Sequence, residues 1–140
     1  MAFGGGGGID PRQLGFHRQA WGGVPFAIGK VTVAGTSSYN LWPDTGCPYT
    51  QVRVVGVYGI MTGAGAASDT VQLQDNGSNA ITEAVDVSAL SANDKWDASV
   101  ISRTYYDVEK GENLNIVTAS GALSEVWVEL IHIDPEYEPS

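Results

Sequence analysis

The sequence predicts an all-β protein, an antiparallel two-sheet sandwich of the jelly-roll type, and three observations support that prediction. From residue 28 onward, short apolar segments rich in β-branched and aromatic residues alternate with turns rich in Gly, Asn, Asp and Ser. No segment shows a sustained helical period of apolar residues. The 140 residues suffice for one domain with a buried core. An immunoglobulin-like sandwich ranks second, because the Cys-Trp-Cys pattern typical of that fold is absent.

Composition divides the chain into three parts. Residues 1–27 include five consecutive glycines at 4–8, and we expect a flexible, glycine-rich arm there because glycine loses the most backbone freedom on ordering. Residues 28–133 carry the β pattern and form the predicted sandwich domain. Residues 134–140 are acidic and contain two prolines, which predicts a tail without regular structure.

Seven segments have the composition of strands. They are 27–33, 52–61, 69–74, 80–87, 98–103, 113–119 and 124–133. The last is the clearest, because apolar residues occupy alternate positions from Val126 to Leu130. Segment 52–61 is apolar at both odd and even positions, which predicts burial on both faces or a place in an interface. Asn76-Gly77 predicts a hairpin turn, and 88–97 is the best candidate for one short helical turn.

Charge and composition exclude several classes of partner. The net charge of −9 argues against a nucleic-acid-binding protein, which needs a basic face. No apolar run is long enough to span a membrane as a helix. The single cysteine, Cys47, excludes a disulfide framework within one chain. Residues 1–30 carry a charge of +2 and the other 110 residues carry −11, so a mildly basic, aromatic arm precedes an acidic body.

The tripeptide at 44–46, Asp-Thr-Gly, matches the catalytic loop of aspartic proteases. In such an enzyme two copies of Asp44 would share one proton across a two-fold axis. Pro43 precedes the aspartate where apolar strand residues are needed, and Cys47 with a second proline follows the glycine. Pro-Asp-x-Gly is also a common turn sequence. We therefore expect a turn here and no enzymatic activity.

Cys47 could form a thiol–imidazole pair with His17 or His132, but nothing in the sequence fixes their proximity. We expect Cys47 to be a small buried hydrophobe. His132 falls on an apolar strand face, which favours a hydrogen-bonded core or interface residue.

Oxygen ligands for a metal are concentrated near the predicted hairpin. They are Asp69, Asp75, Asn76, Asn79 and Asp86. The spacing lacks the alternation and closing Glu of a calcium loop, so we expect no metal and no cofactor. The aromatic residues Trp96, Tyr105 and Tyr106 suit either a sugar-binding platform or the end of a sandwich core, and the second interpretation is favoured.

Several segments resemble small structural proteins of tailed bacteriophages. Residues 57–74 read VYGIMTGAGAASDTVQLQ, and 79–86 read NAITEAVD. Near the end, 116–122 read IVTASGA and 126–130 read VWVEL, with similarity continuing to residue 133. In length and pattern the chain is similar to the capsid cement, or decoration, proteins of podovirus-type phages such as those of Bordetella. The resemblance covers roughly residues 28–133.

The resemblance implies a jelly-roll cement protein that binds the outside of a shell of major capsid protein. Such proteins pair as homodimers and bridge neighbouring capsomers without covalent crosslinks. It implies no catalytic residue and no cofactor. The expected partners are the major capsid protein and a second copy of the chain. The expected location is the outer capsid surface of the virion, after synthesis in the host cytoplasm.

We expect the arm to supply the contacts with the capsid, because apolar and arginine side chains dominate protein interfaces. The expected capsid-binding residues are Phe3, Ile9, Arg12, Leu14, Phe16, Arg18 and Trp21. The expected self-association residues are Val55, Val57 and Met61, from the strand that is apolar at odd and even positions. Two other functions stay open: a phage fibre or receptor-binding sandwich that recognises carbohydrate, and a homodimeric aspartic protease that uses Asp44.

Overall fold

The computed structural model describes residues 24–133, which form nine strands in two antiparallel sheets. The strands are β1 (Phe26–Ala34), β2 (Ser37–Asn40), β3 (Gln51–Met61), β4 (Thr70–Asp75), β5 (Val85–Asp86), β6 (Lys95–Ala98), β7 (Asp107–Glu109), β8 (Leu114–Ala119) and β9 (Leu123–His132). The first sheet has the order β1-β9-β3-β6, and β7 also pairs with β3. The second sheet has the order β2-β8-β4-β5. Within these residues there is no helix that could cross a membrane.

The core lies between the two sheets, and both sheets supply it with alternate residues. Val126, Val128 and Leu130 of β9 are fully buried, and so are Leu114 and Ile116 of β8. Each such side chain contributes about 1.5–3 kcal/mol through the removal of apolar surface from water. The predicted all-β, two-sheet sandwich is therefore confirmed.

A β-bulge in β3 decides which of its residues face the core. β3 pairs with β9 on one side and with β6 and β7 on the other. Its register against β9 shifts between Val54 and Gly56, which leaves Val55 as the extra residue. Before the bulge Val52 and Val54 are buried. After it, positions 57, 59 and 61 are buried. Part of the apolar pattern at both odd and even positions arises because the inward side changes at the bulge. Burial on both faces is therefore wrong, whereas a place in an interface stays a prediction.

Five of the seven predicted strands are confirmed with ends shifted by no more than two residues: β1, β3, β4, β8 and β9. The turn at Asn76-Gly77 also connects two antiparallel segments, since Gln74 bridges Ala80 and Val71 pairs with Val85.

Other expectations about the local structure are wrong. Of the predicted strand 80–87 only Val85–Asp86 forms one, and in place of 98–103 the strand is Lys95–Ala98. Segment 88–97 makes two separate turns before β6 instead of a helical turn. Its isolated backbone bonds run from Leu90 N–H to the Val87 carbonyl and from Asp94 N–H to the Ser91 carbonyl.

The bulge leads to a matched pair of stability predictions. Val57→Ala should lower the free energy of unfolding by about 2 kcal/mol, because it removes two buried carbons and leaves a cavity. Val55→Ala, the same chemical change at the 40% exposed bulge residue, should stay within about 0.5 kcal/mol of the parent. Urea denaturation of both variants measures the difference. Equal losses would contradict the change of inward side at the bulge.

Candidate interaction surface

The outer face of the first sheet carries a cluster of apolar side chains, which we name the outer patch. Its members are Val55, Tyr58, Ile60, Trp127 and Ile131. Tyr58, Ile60 and Trp127 face away from the core because each lies between buried neighbours, and Val55 because it lies in the bulge. Ile131 follows the buried Leu130 and continues the outward positions of β9. Val55 is 40% and Tyr58 38% exposed in the described chain. The outer patch is thus an apolar surface on the solvent side of a sandwich.

A stacked pair of aromatic rings forms the centre of the outer patch. Tyr58 and Trp127 are direct cross-strand partners in β3 and β9. Their ring centroids are 5.9 Å apart with planes inclined by 13°. Such a pair contributes on the order of 1 kcal/mol beyond the area it buries. The stack therefore holds two large, flat rings in a fixed position on the surface.

Gly29 of the neighbouring strand β1 makes room for the Trp127 ring. A Cβ atom on Gly29 would lie 2.8 Å from Cγ and 2.9 Å from Nε1 of Trp127. Real Cβ atoms do not approach other atoms so closely, so the indole ring occupies the space that any other residue would fill. The register of β1 against β9 is also broken here, between Ile28 and Val31.

Two ion pairs lie beside the outer patch. Lys30 Nζ lies 2.9 Å from Glu125 Oε2. Arg53 binds Asp107 through Nε and Nη2, at 2.7 and 3.1 Å. Its guanidinium also lies 4.5 Å from the centroid of a tyrosine ring at position 106. Glu129, which faces outward from β9, makes no ion pair within residues 24–133. The outer patch thus contains, between Trp127 and Ile131, a carboxylate that has no ion-pair partner among the described residues.

The structure corrects the predicted self-association residues. Val57 and Met61 are 3% and 1% exposed, so they belong to the core and offer no surface to a second copy. Val55 does lie at the surface, in the bulge. Sequence reasoning missed Tyr58 and Trp127 as a surface pair. The signal for Trp127 was present, since it alternates with the buried valines of β9.

The expected capsid-binding residues lie outside the described part of the chain, and their role stays a prediction. They are Phe3, Ile9, Arg12, Leu14, Phe16, Arg18 and Trp21.

The residues considered for catalysis, Asp44, Cys47 and His132, lie in different structural environments. Asp44 lies exposed in a turn that the Gly46 N–H closes on the Trp42 carbonyl, at 3.1 Å. Cys47 is 1% exposed, which confirms it as a buried hydrophobe. His132 is exposed in the described chain, so a place in the core is wrong, whereas a place in an interface stays a prediction.

His132 instead belongs to an aromatic group at the end of the sandwich where β1 begins. Its ring stacks on Phe26, with centroids 4.8 Å apart. Tyr49 meets both rings edge-on, at 5.1 and 5.2 Å, and Trp42 packs edge-on against Tyr49 at 6.4 Å. These rings cover one end of the core.

The three aromatic residues suggested for a sugar platform do not form one. Trp96 is 7% exposed and its indole N–H donates to Ser124 Oγ inside the sandwich, at 2.9 Å. Tyr106 packs beneath the Arg53 guanidinium. Tyr105 is 39% exposed and borders a cleft of about 260 Å³.

Polar side chains of that cleft already have partners within the protein. Asp75 accepts hydrogen bonds from the backbone N–H groups of Gly77 and Asn79, both at 2.8 Å, and Glu112 accepts one from the N–H of Glu109. These side chains stabilise turns and leave little free hydrogen-bonding capacity for a ligand.

The oxygen ligands considered for a metal are also dispersed into turns. Asp69 is 2% exposed and its Oδ2 accepts a hydrogen bond from the Ala66 N–H at 2.8 Å, which holds the loop before β4. Asp86 accepts a bond from the Ser88 N–H, and the bonds from Ser88 lower the pKa of that carboxyl. Among residues 24–133, no three His, Cys, Asp or Glu side chains cluster as a metal site would require.

Comparison with known protein families, with curated proteins and with solved structures found no match to this chain. The outer patch therefore rests on geometry alone as a candidate site.

The close approach of Gly29 to Trp127 predicts the effect of one methyl group. Gly29→Ala should destabilise the fold by about 1–3 kcal/mol, because the new Cβ displaces the indole ring. The near-ultraviolet circular dichroism of the Tyr58–Trp127 stack should weaken as well. Adding Trp127→Ala to Gly29→Ala removes the clash, so the double variant should lose less stability than the sum of the single changes. Additive losses would show that the ring does not fill this space.

Burial of Cys47 predicts a slow thiol. Burial raises the pKa of the Cys47 thiol, and Sγ donates a hydrogen bond to the Tyr49 carbonyl at 3.5 Å. A thiol reagent at neutral pH should react about tenfold or more slowly with the folded than with the unfolded chain. Since the pKa is raised, the stability gained from the protonated thiol is complete below the ordinary thiol pKa and is lost as pH rises through the folded value. Equal reaction rates would contradict this burial.

Proposed function

We propose that this protein is a structural virion protein, a capsid cement protein that binds the outside of a shell of major capsid protein. The observation that carries the proposal is that the segments resembling cement proteins are those that build this sandwich. Residues 57–74 form the end of β3, the following loop and most of β4, and 126–133 include most of β9. The resemblance thus concerns strands of both sheets and not one isolated turn.

The order of the strands supports the more specific jelly-roll prediction. Successive strands β1, β2, β3 and β4 alternate between the first and the second sheet, and β8 and β9 do so again. A jelly roll divides its strands between two sheets through crossing connections of this kind. Paired sheets with a shared core form a stiff body, which suits a protein that reinforces a shell.

The physical role proposed is to bridge capsomers from outside. A shell filled with DNA must resist outward pressure, and a molecule bound across a seam adds binding energy that exists only in the assembled lattice. Many copies reinforce the shell together through multivalency. The partners are the major capsid protein and a second copy of this chain, on the outer capsid surface.

We assign capsid binding and self-association to two different parts of the chain. The apolar and arginine residues of 1–21 contact the capsid protein, as expected from the sequence. The outer patch provides the self-association surface, with Val55 at its edge and the Tyr58–Trp127 stack at its centre. The ion pairs of Lys30 with Glu125 and of Arg53 with Asp107 neutralise two acidic side chains on this face, which reduces the repulsion between two acidic bodies.

The test is co-sedimentation with empty shells. The full-length protein should bind expanded shells and not unexpanded ones. Deletion of residues 1–21 should weaken binding at least about tenfold, because one central aromatic or arginine anchor contributes roughly 2 kcal/mol. Asp44→Asn, which alters an exposed turn, should bind like the parent.

Three outcomes would contradict the proposal or one part of it. Failure of the full-length protein to bind any shell would remove the cement function. Unchanged binding by the deletion variant would remove the role of residues 1–21 alone. Loss of a peptide-cleaving activity in Asp44→Asn would support the aspartic protease instead.

A further inference from the structure

We propose that residues 9–21 of the same chain cover the outer patch in the free protein. This deepens the proposed function and rests on it in one respect. Residues 9–21 are released from the outer patch when they bind the shell. The proposed contact itself needs no shell.

The outer patch lies on the sheet that the N-terminal chain enters. β1 begins at Phe26, whose backbone pairs with Leu130 of β9, next to Ile131 of the patch. Residues 24 and 25 therefore join the sandwich beside the patch, at the edge of the same sheet. Residues 9–21, which lead into β1, are therefore attached to the body next to the patch that they would cover.

The length of chain before β1 is sufficient to cross the patch. A chain spans at most about 3.3–3.6 Å per residue, so residues 14–25 reach roughly 36 Å. The ten residues of β9 span about 33 Å. Gly22 and Gly23 precede β1 in the sequence, and glycine permits the backbone conformations that reverse a chain. Residues 9–21 can therefore lie back across the sheet.

The composition of the segment matches the surface. Leu14, Phe16 and Trp21 are apolar, and the centre of the patch is a stacked ring pair on the outer face of the sheet, with Tyr58 38% exposed. Aromatic rings pack well on such a face and remove it from water. The outer patch and residues 9–21 thus carry complementary apolar groups.

Charge favours this segment over a second copy. Residues 24–133 contain five basic and twelve acidic side chains, a formal charge of −7, whereas residues 1–23 carry +1. Arg12 and Arg18 offer partners for Glu129, which lies between Trp127 and Ile131 on β9 and makes no ion pair among the described residues. A second acidic body would bring another Glu129 toward the same carboxylate, which is unfavourable.

The consequence is an ordered exchange. In the free protein the segment occupies the surface through which two copies would pair. When the capsid protein binds the segment, the patch becomes available at the position where neighbouring copies are concentrated on the lattice. Pairing then follows binding to the shell.

Residue-specific hydroxyl-radical labelling of the free protein tests the contact. Tyr58 and Tyr105 are matched probes, because the described chain alone leaves them 38% and 39% exposed. In the full-length protein Tyr58 should label about tenfold more slowly than in a variant lacking residues 1–21, if the patch is covered about nine-tenths of the time. Tyr105 should label equally in both.

A second variant keeps the chain length and removes the apolar anchors. Leu14→Ser combined with Phe16→Ser should raise Tyr58 labelling to the level of the deletion variant, while far-ultraviolet circular dichroism reports an unchanged β fold. Glu129→Gln should reduce the protection and its dependence on salt, because exposed charge contacts are screened.

Three results would overturn the inference. One is equal labelling of Tyr58 in the full-length and deletion proteins. Another is Tyr58 protection that disappears on dilution, which would assign the patch to a second copy. A third is protection that survives Leu14→Ser with Phe16→Ser. Since no shell is present, full-length protein that binds shells but fails this test would lose the inference and keep the proposed function.

Discussion

The extra residue in β3 is the constraint on which the first sheet depends. β3 touches β9 on one side and β6 and β7 on the other, so its side chains are central to the sheet. Without the bulge at Val55, a strict alternation from Val52 would direct Val57 and Met61 to the solvent. With it, Val52 and Val54 before the bulge and Val57 and Met61 after it are all buried. The same shift turns Tyr58 outward, opposite Trp127.

Core and surface are therefore coupled through one backbone irregularity. The stack of Tyr58 on Trp127 exists because the bulge sets the outward position of Tyr58, and because Gly29 leaves space for the indole. Ion pairs by Lys30 and Arg53 then compensate charge at the border of the patch. The result is an apolar surface on an otherwise acidic body, and exposed apolar surfaces of this kind are typical of interaction sites.

The sequence allowed the long strands to be predicted because their side chains alternate with burial. It could not reveal β2, β6 and β7, since a strand such as Ser37–Asn40 is polar and is held by pairing with a distant neighbour. The bulge also escaped prediction: Val-Val-Gly-Val reads equally well as a regular strand. At the hairpin, Asn76-Gly77 marked the turn correctly, yet Ser78 adopts the positive φ of 67° that would be expected of the glycine. The surface pair of Tyr58 and Trp127 could not be predicted, because the sequence alone does not show that β3 pairs with β9 in this register.

The register break in β1 limits how copies of the sandwich can meet. β1 is the long strand at one edge of the first sheet, and an uninterrupted edge of nine residues would offer backbone groups to an incoming strand. The break between Ile28 and Val31 interrupts that row of hydrogen-bonding groups in the middle. Among the described strands, β6 at the other end of the first sheet has four residues, and the edge strand β5 of the second sheet has two. Growth by adding strand to strand, which leads to open-ended fibres, is thereby discouraged even where many copies are crowded together.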